Sequence, residues 1–165
     1  MTDNKGQISG EYLLLVGILV ITVMLSVVFI ADENELNAAM SAARSGVIEG
    51  VGTSSVAIYP TDSYDVYPDL KGNLMYPYSV EIINVSYSEL GMDDVYGKKK
   101  IQFQVYVKSS NEYTAGELDS MGERINYNLR KSLAISFNST ASTNKLYNPV
   151  FSPHYVYTTA NVKWV

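Results

Sequence analysis

The 165-residue chain has no cysteine, one histidine, one tryptophan and five prolines. Without cysteine there are no disulfides, no thiol nucleophile and no Cys-type zinc site, so a domain of this chain outside the cell holds together by packing or assembly. Basic residues are also scarce. With 12 Lys and Arg against 17 Asp and Glu the formal charge is −5, and the largest basic cluster is Lys98-Lys99-Lys100. That leaves nucleic-acid binding without an electrostatic footprint. The single His154 has no carboxylate or serine partner in sequence and is flanked by proline, which reads as a surface position. Asp62, Asp65 and Asp69 lack the spacing and central glycine of a calcium loop, and Asp93-Asp94 reads as a turn. No glycine-rich phosphate loop, nucleophile elbow or metal-ligand pair is present, so the chain reads as neither an enzyme nor a cofactor or metal carrier.

What the sequence does have is a long apolar run. From Leu13 to Ala31 only Thr22 and Ser26 carry hydroxyls, and a helix of that length spans about 28 Å, close to a bilayer core. No small-residue cleavage site follows it. The run leads instead into Asp32-Glu33-Asn34-Glu35, unlike a secretory signal peptide. Lys5 before the run and the acids after it orient the amino terminus to the cytoplasm and the remainder outside. Leu36, Met40, Ala43 and Val47 continue at helical spacing with no proline from residue 7 to 49, so the helix is expected to extend until Gly50 and Gly52 stop it. A helix of about 40 residues is roughly 60 Å long, too long to lie wholly against one small domain.

Past Gly52 the period changes. Val80 to Tyr87, Ile101 to Lys108 and Val156 to Val165 alternate as strands, with Ile101, Phe103, Val105 and Val107 on one face. Gly91 and Gly97 bracket the loop of an antiparallel hairpin. Thr114-x-x-Glu117 is a capping box before Leu118, Met121, Ile125, Leu129 and Leu133, which predicts a helix from Ala115 to about Leu133 that covers the sheet. Val156, Ala160, Val162 and Trp164 make the carboxy terminus a core strand, while residues 59–77 read as loop and extended edge. The expected class is therefore α+β: a long amino-terminal helix, then a β-rich head with an antiparallel sheet and one covering helix. Tyrosine is abundant, 14 residues in all, and suits half-buried strand and interface positions because its ring is apolar and its tip polar.

The string Lys5-Gly6-Gln7-Ile8-Ser9-Gly10-Glu11-Tyr12, followed by the apolar run, resembles the class III signal peptide of archaeal type IV pilins. Gln7, Ser9, Glu11 and Tyr12 match the Gln-x-Ser-x-Glu-Tyr/Phe pattern of methanogen pilins. The resemblance covers residues 5–31. It implies cleavage by a membrane prepilin peptidase between Gly6 and Gln7, giving a leader 1–6, a helix 7–50 that is transmembrane in the precursor and core in the filament, and an extracellular head 51–165. It implies as partners the pilus assembly machinery and identical subunits, to which Glu11 and Tyr12 contribute at the assembly interface. In the family Glu11's counterpart pairs with a neighbour's amino terminus; cyclisation of Gln7 to pyroglutamate would remove that charge and leave N–H or hydroxyl donors. A priming minor pilin or pseudopilin, and a single-span anchored adhesion protein, are the alternatives. For an exported head, Asn84-Val85-Ser86 and Asn138-Ser139-Thr140 are glycosylation acceptors, Asn84 only if its side chain faces outward.

Overall fold

The computed structural model describes the backbone of residues 4–55 and 80–165. The expectations for residues 59–77, with Asp62, Asp65 and Asp69, lie outside the described residues. Helix α1 runs from Asn4 to Ser55. Residues 1–37 form one compact unit and residues 38–165 a second, so α1 contributes to both.

In the second unit, β1 (Val80–Asp93) and β2 (Lys98–Ser109) form an antiparallel hairpin. The strands run further than the two glycines implied, leaving a four-residue connection from Asp94 to Gly97. Asp93 Oδ1 accepts from the amides of Val95 and Tyr96 at 3.0 and 3.2 Å, and the Gly97 amide donates to the Asp93 carbonyl at 2.8 Å. Gly97 sits at φ 60° and Gly91 at φ 84°, a region that L side chains seldom occupy. Beyond β2, helix α2 (Ala115–Ser136) leads to β3 (Val150–Phe151), β4 (Tyr155–Thr159) and β5 (Lys163–Trp164).

The sheet order is β1-β2-β4-β3, with β5 also paired to β2. The expected α+β class holds, but the sheet is mixed rather than wholly antiparallel. β4 and β5 lie parallel to β2, while β3 returns antiparallel to β4. The reason is the connection: a parallel neighbour needs a crossover of a dozen or more residues, and α2 supplies it. The single terminal strand expected from Val156 to Val165 is broken at 160–162, where the Ala160 amide donates to the Phe103 carbonyl and the Ala160 carbonyl accepts from Asn126.

The core follows the alternation. Ile101, Phe103, Val105 and Val107 are fully buried, as are Ile125, Leu129 and Leu133 of α2 and Tyr157 of β4. Phe137 stacks on Tyr157, with ring centroids 5.5 Å apart. α2 begins with the expected capping box: Thr114 Oγ1 accepts from the Glu117 amide at 3.4 Å, and the Glu117 carboxylate accepts from the Thr114 amide at 2.8 Å. It ends three residues beyond Leu133. There Asn138, at φ 50°, takes the left-handed position, and the Ser139 and Asn138 amides donate back to the Ala134 and Ile135 carbonyls, the two bonds of a Schellman motif.

Gly50 and Gly52 do not stop α1. Ala39, Ala43, Gly46, Val47 and Gly50 form a buried stripe of small residues, and the glycines are where the backbone of α1 meets that of α2. A Cβ on Gly46 would lie 2.5 Å from the Asn128 carbonyl oxygen and 2.7 Å from Leu129 Cα; one on Gly50 would lie 2.8 Å from Ile125 Cα. Helix propensity alone favours alanine over glycine by about 1 kcal/mol. Here the close approach overrides that preference, because a methyl forced between two backbones costs ~1–3 kcal/mol in displaced packing. Gly46→Ala is therefore expected to lower the thermal midpoint of the full chain in detergent by several degrees. Gly52→Ala, with nothing within 4 Å of its added methyl, should leave the midpoint unchanged or raise it. Circular dichroism melts of the two variants check both signs.

Candidate functional site

The amino-terminal part of α1 has apolar side chains and, among the described residues, no cover. From Leu13 to Ile30 its large residues are all exposed, Leu15 at 62 % and Phe29 at 68 %. An 18-residue window within Gly10–Thr53 reaches a mean hydropathy of 3.1 with none of it buried. By length and composition this one helix is able to enter a membrane. Apolar area left in water costs ~25 cal/mol per Å², so the helix needs lipid or protein around it.

The two hydroxyls inside the run are already satisfied. Thr22 Oγ1 donates to the Ile18 carbonyl and Ser26 Oγ to the Thr22 carbonyl, each at 2.8 Å and one turn back. Bonded to their own helix, they cross an apolar medium without a partner from outside. Glu11 differs. Its side chain is exposed at the amino edge of the run beside Tyr12, itself 68 % exposed, and it has no hydrogen bond or ion pair among the described residues. An ionised carboxylate only accepts, so it cannot copy the bond that Thr22 makes. Gly6 and Gln7 lie in the first turns of α1.

The other candidate residues lie on the second unit. Asn84 is in β1 just after a register shift and is exposed. Asn138 is exposed in the Schellman turn after α2, with Ser139 buried and Thr140 exposed. His154 is exposed in the turn between β3 and β4, where its carbonyl accepts from the Lys99 amide at 3.2 Å. Asp93 serves the hairpin turn and lies 3.6 Å from Lys100. Among the described residues no three His, Cys, Asp or Glu side chains gather as a metal site.

Sequence reasoning passed over Arg130. This residue is half-buried in α2, where its Nε donates to the Leu146 carbonyl at 3.0 Å and its Nη1 to Thr159 Oγ1 at 2.6 Å. Burial lowers its pKa, with the nearby Glu123 carboxylate pulling the other way. It borders a cleft of about 640 Å³ between α2, the 146–148 connection and the end of β4. The residues that close the cleft over α2 are distant in sequence.

Comparison with known proteins finds no matching family model, no matching curated protein and no matching solved structure. The order of parts, a long apolar amino-terminal helix followed by a β-sheet head with one helix, is a pilin-like architecture.

The exposed run sets a measurable threshold. Ile21→Asp with Met24→Asp places two acids near its centre, at about 2.5–3.5 kcal/mol each on the insertion scale, against favourable contributions of ~0.3–0.6 kcal/mol from each Leu, Ile, Val or Phe. The sum brings insertion near balance. Alkaline extraction of membranes should release a large fraction of the double variant and almost none of the parent. Thr22→Val with Ser26→Val should extract like the parent.

Proposed function

We propose that this chain is a structural subunit of an archaeal type IV pilus, held in the membrane as a precursor and polymerised through α1 into an extracellular filament for surface attachment. In this reading a prepilin peptidase removes residues 1–6, and the helix beginning at Gln7 leaves lipid for a bundle of like helices. The observation that carries it is the exposed apolar run of α1, with Glu11 at its edge unpartnered among the described residues, followed by a sheet-and-helix head. A helix that only anchors needs no carboxylate beside its span. A helix that packs among copies gains from one, since a charged hydrogen bond at an apolar interface fixes register. The role is structural rather than catalytic. On an exported head the exposed Asn84 and Asn138 would serve as glycan acceptors, and the glycans would shield a filament without disulfides.

Mass spectrometry of the surface-exposed protein tests the processing step: the expected amino terminus is Gln7, intact or as pyroglutamate, and a retained 1–6 leader overturns the reading. Glu11→Ala and Glu11→Leu are expected to be processed and inserted normally but to reduce filament yield by about tenfold or more, the equivalent of one lost contact worth ~1.4 kcal/mol. Electron microscopy and quantitation of sheared filaments check this, and parental yield in both variants counts against the role of Glu11.

A further inference from the structure

The cleft beside Arg130 has the chemistry of a ligand site, and nothing about polymerisation accounts for it. Asn126 is 7 % exposed, and its Nδ2 donates to the Ala160 carbonyl at 2.9 Å. That bond fixes the amide orientation and leaves Oδ1 buried without a partner. An orphaned acceptor of this kind costs ~1–3 kcal/mol; the oxygen is closed to solvent, so an O–H or N–H donor in the cleft reaches it only as the amide shifts toward the ligand. One turn along the same face, Arg130 has two of its N–H groups committed to Leu146 and Thr159, which holds the guanidinium plane still and leaves the remaining donors for an anion.

The rest of the wall fits the same kind of ligand. Arg124 and Arg130 face one carboxylate, Glu123, among the residues bordering the cleft, a local excess of positive charge in a chain of net −5. Tyr127 adds an aromatic ring, supported by Tyr147 at 5.5 Å, and Asn161 adds an amide at the rim. A volume of about 640 Å³ is within the ~300–1,000 Å³ usual for small-molecule sites.

The candidate ligands separate by what they leave unpaired. Inorganic phosphate, as the dianion, answers the arginines and keeps one O–H for Asn126, but has no C–H face for Tyr127. A neutral sugar answers Asn126 and the tyrosine face but leaves the partly desolvated guanidinium without an anion. A sugar acid supplies all three: hydroxyls for Asn126 and Glu123, a carboxylate for Arg130 and Arg124, and a C–H face for Tyr127. We propose that the cleft between α2 and the end of β4 binds an acidic saccharide, with Asn126 and Arg130 as its central contacts and Arg124 at the rim. The site lies wholly within residues 38–165, so its occupancy does not depend on filament formation.

The test is ligand-observed NMR and titration calorimetry on the full chain in a sugar-free amine-oxide detergent, with glucuronic acid, glucose, inorganic phosphate and alanine as probes. Glucuronic acid is expected to bind at least fivefold more tightly than the other three. Arg124→Ala, at an exposed position that leaves the core untouched, should weaken glucuronic acid by at least threefold, and Tyr127→Leu should do the same. No glucuronic acid binding, equal or tighter binding of phosphate or alanine, or unchanged affinity in Arg124→Ala overturns the proposal. Parental filament yield with failed sugar binding removes this site alone; the converse removes only the pilus reading.

Discussion

An apolar helix surface that water must not touch governs this chain. The exposed run of α1 has large side chains around its whole circumference, so no single neighbour on one side suffices to cover it. Two environments do so: a bilayer, whose hydrocarbon core matches the length of the run, and a bundle in which each helix is ringed by others. Exchange between them conserves apolar burial, and the balance is then set by packing and by the few polar groups rather than by the hydrophobic effect.

The same helix changes character after its acidic break at Asp32, Glu33 and Glu35. Further on, burial is confined to one stripe, in which Ala39, Ala43, Gly46 and Gly50 alternate with Leu36, Val47 and Val51, and Gly46 and Gly50 are set directly against the backbone of α2. One element therefore serves two kinds of packing: close backbone contact within its own head, and bulky aliphatic cover for partners outside it. With no cysteine, the head relies on this helix contact and on the sheet core for cohesion.

Much of this was legible in the residues. The alternation from Ile101 to Val107 gave the central strand and its buried face, because a half-wet sheet sorts side chains with period two. Thr114 and Glu117 gave the start of α2 to the residue, since a capping box is a local device. Strand direction was less accessible: alternation is the same in parallel and antiparallel ladders, and only the strand-helix-strand order around α2 announced the parallel pair. Gly50 misled because a glycine that ends a helix and one that admits a neighbouring backbone look alike in sequence. The cleft beside Arg130 was hidden for a related reason: its closure by Leu146 and Thr159 is a tertiary event.

The position of Glu11 follows from helix arithmetic. The first four amides of any helix lack intrahelical acceptors, and in α1 as it stands those amides belong to residues 4–7, a turn or more before Glu11. If the helix began at Gln7, the free amides would be those of residues 7–10, immediately ahead of the carboxylate, and the helix dipole would place its positive end there as well. Trimming would thus bring together the two unmatched sets of groups in the apolar rod: donors without acceptors at its tip, and an acceptor without donors at Glu11. One helix does not fully satisfy itself, because a single carboxylate that reaches back as Glu117 does to the Thr114 amide leaves most of the four free amides unmatched. A second helix, shifted along the axis, offers its tip to the first one's carboxylate. The acid would then favour staggered copies over helices in register, and a regular stagger is what turns pairwise packing into a filament.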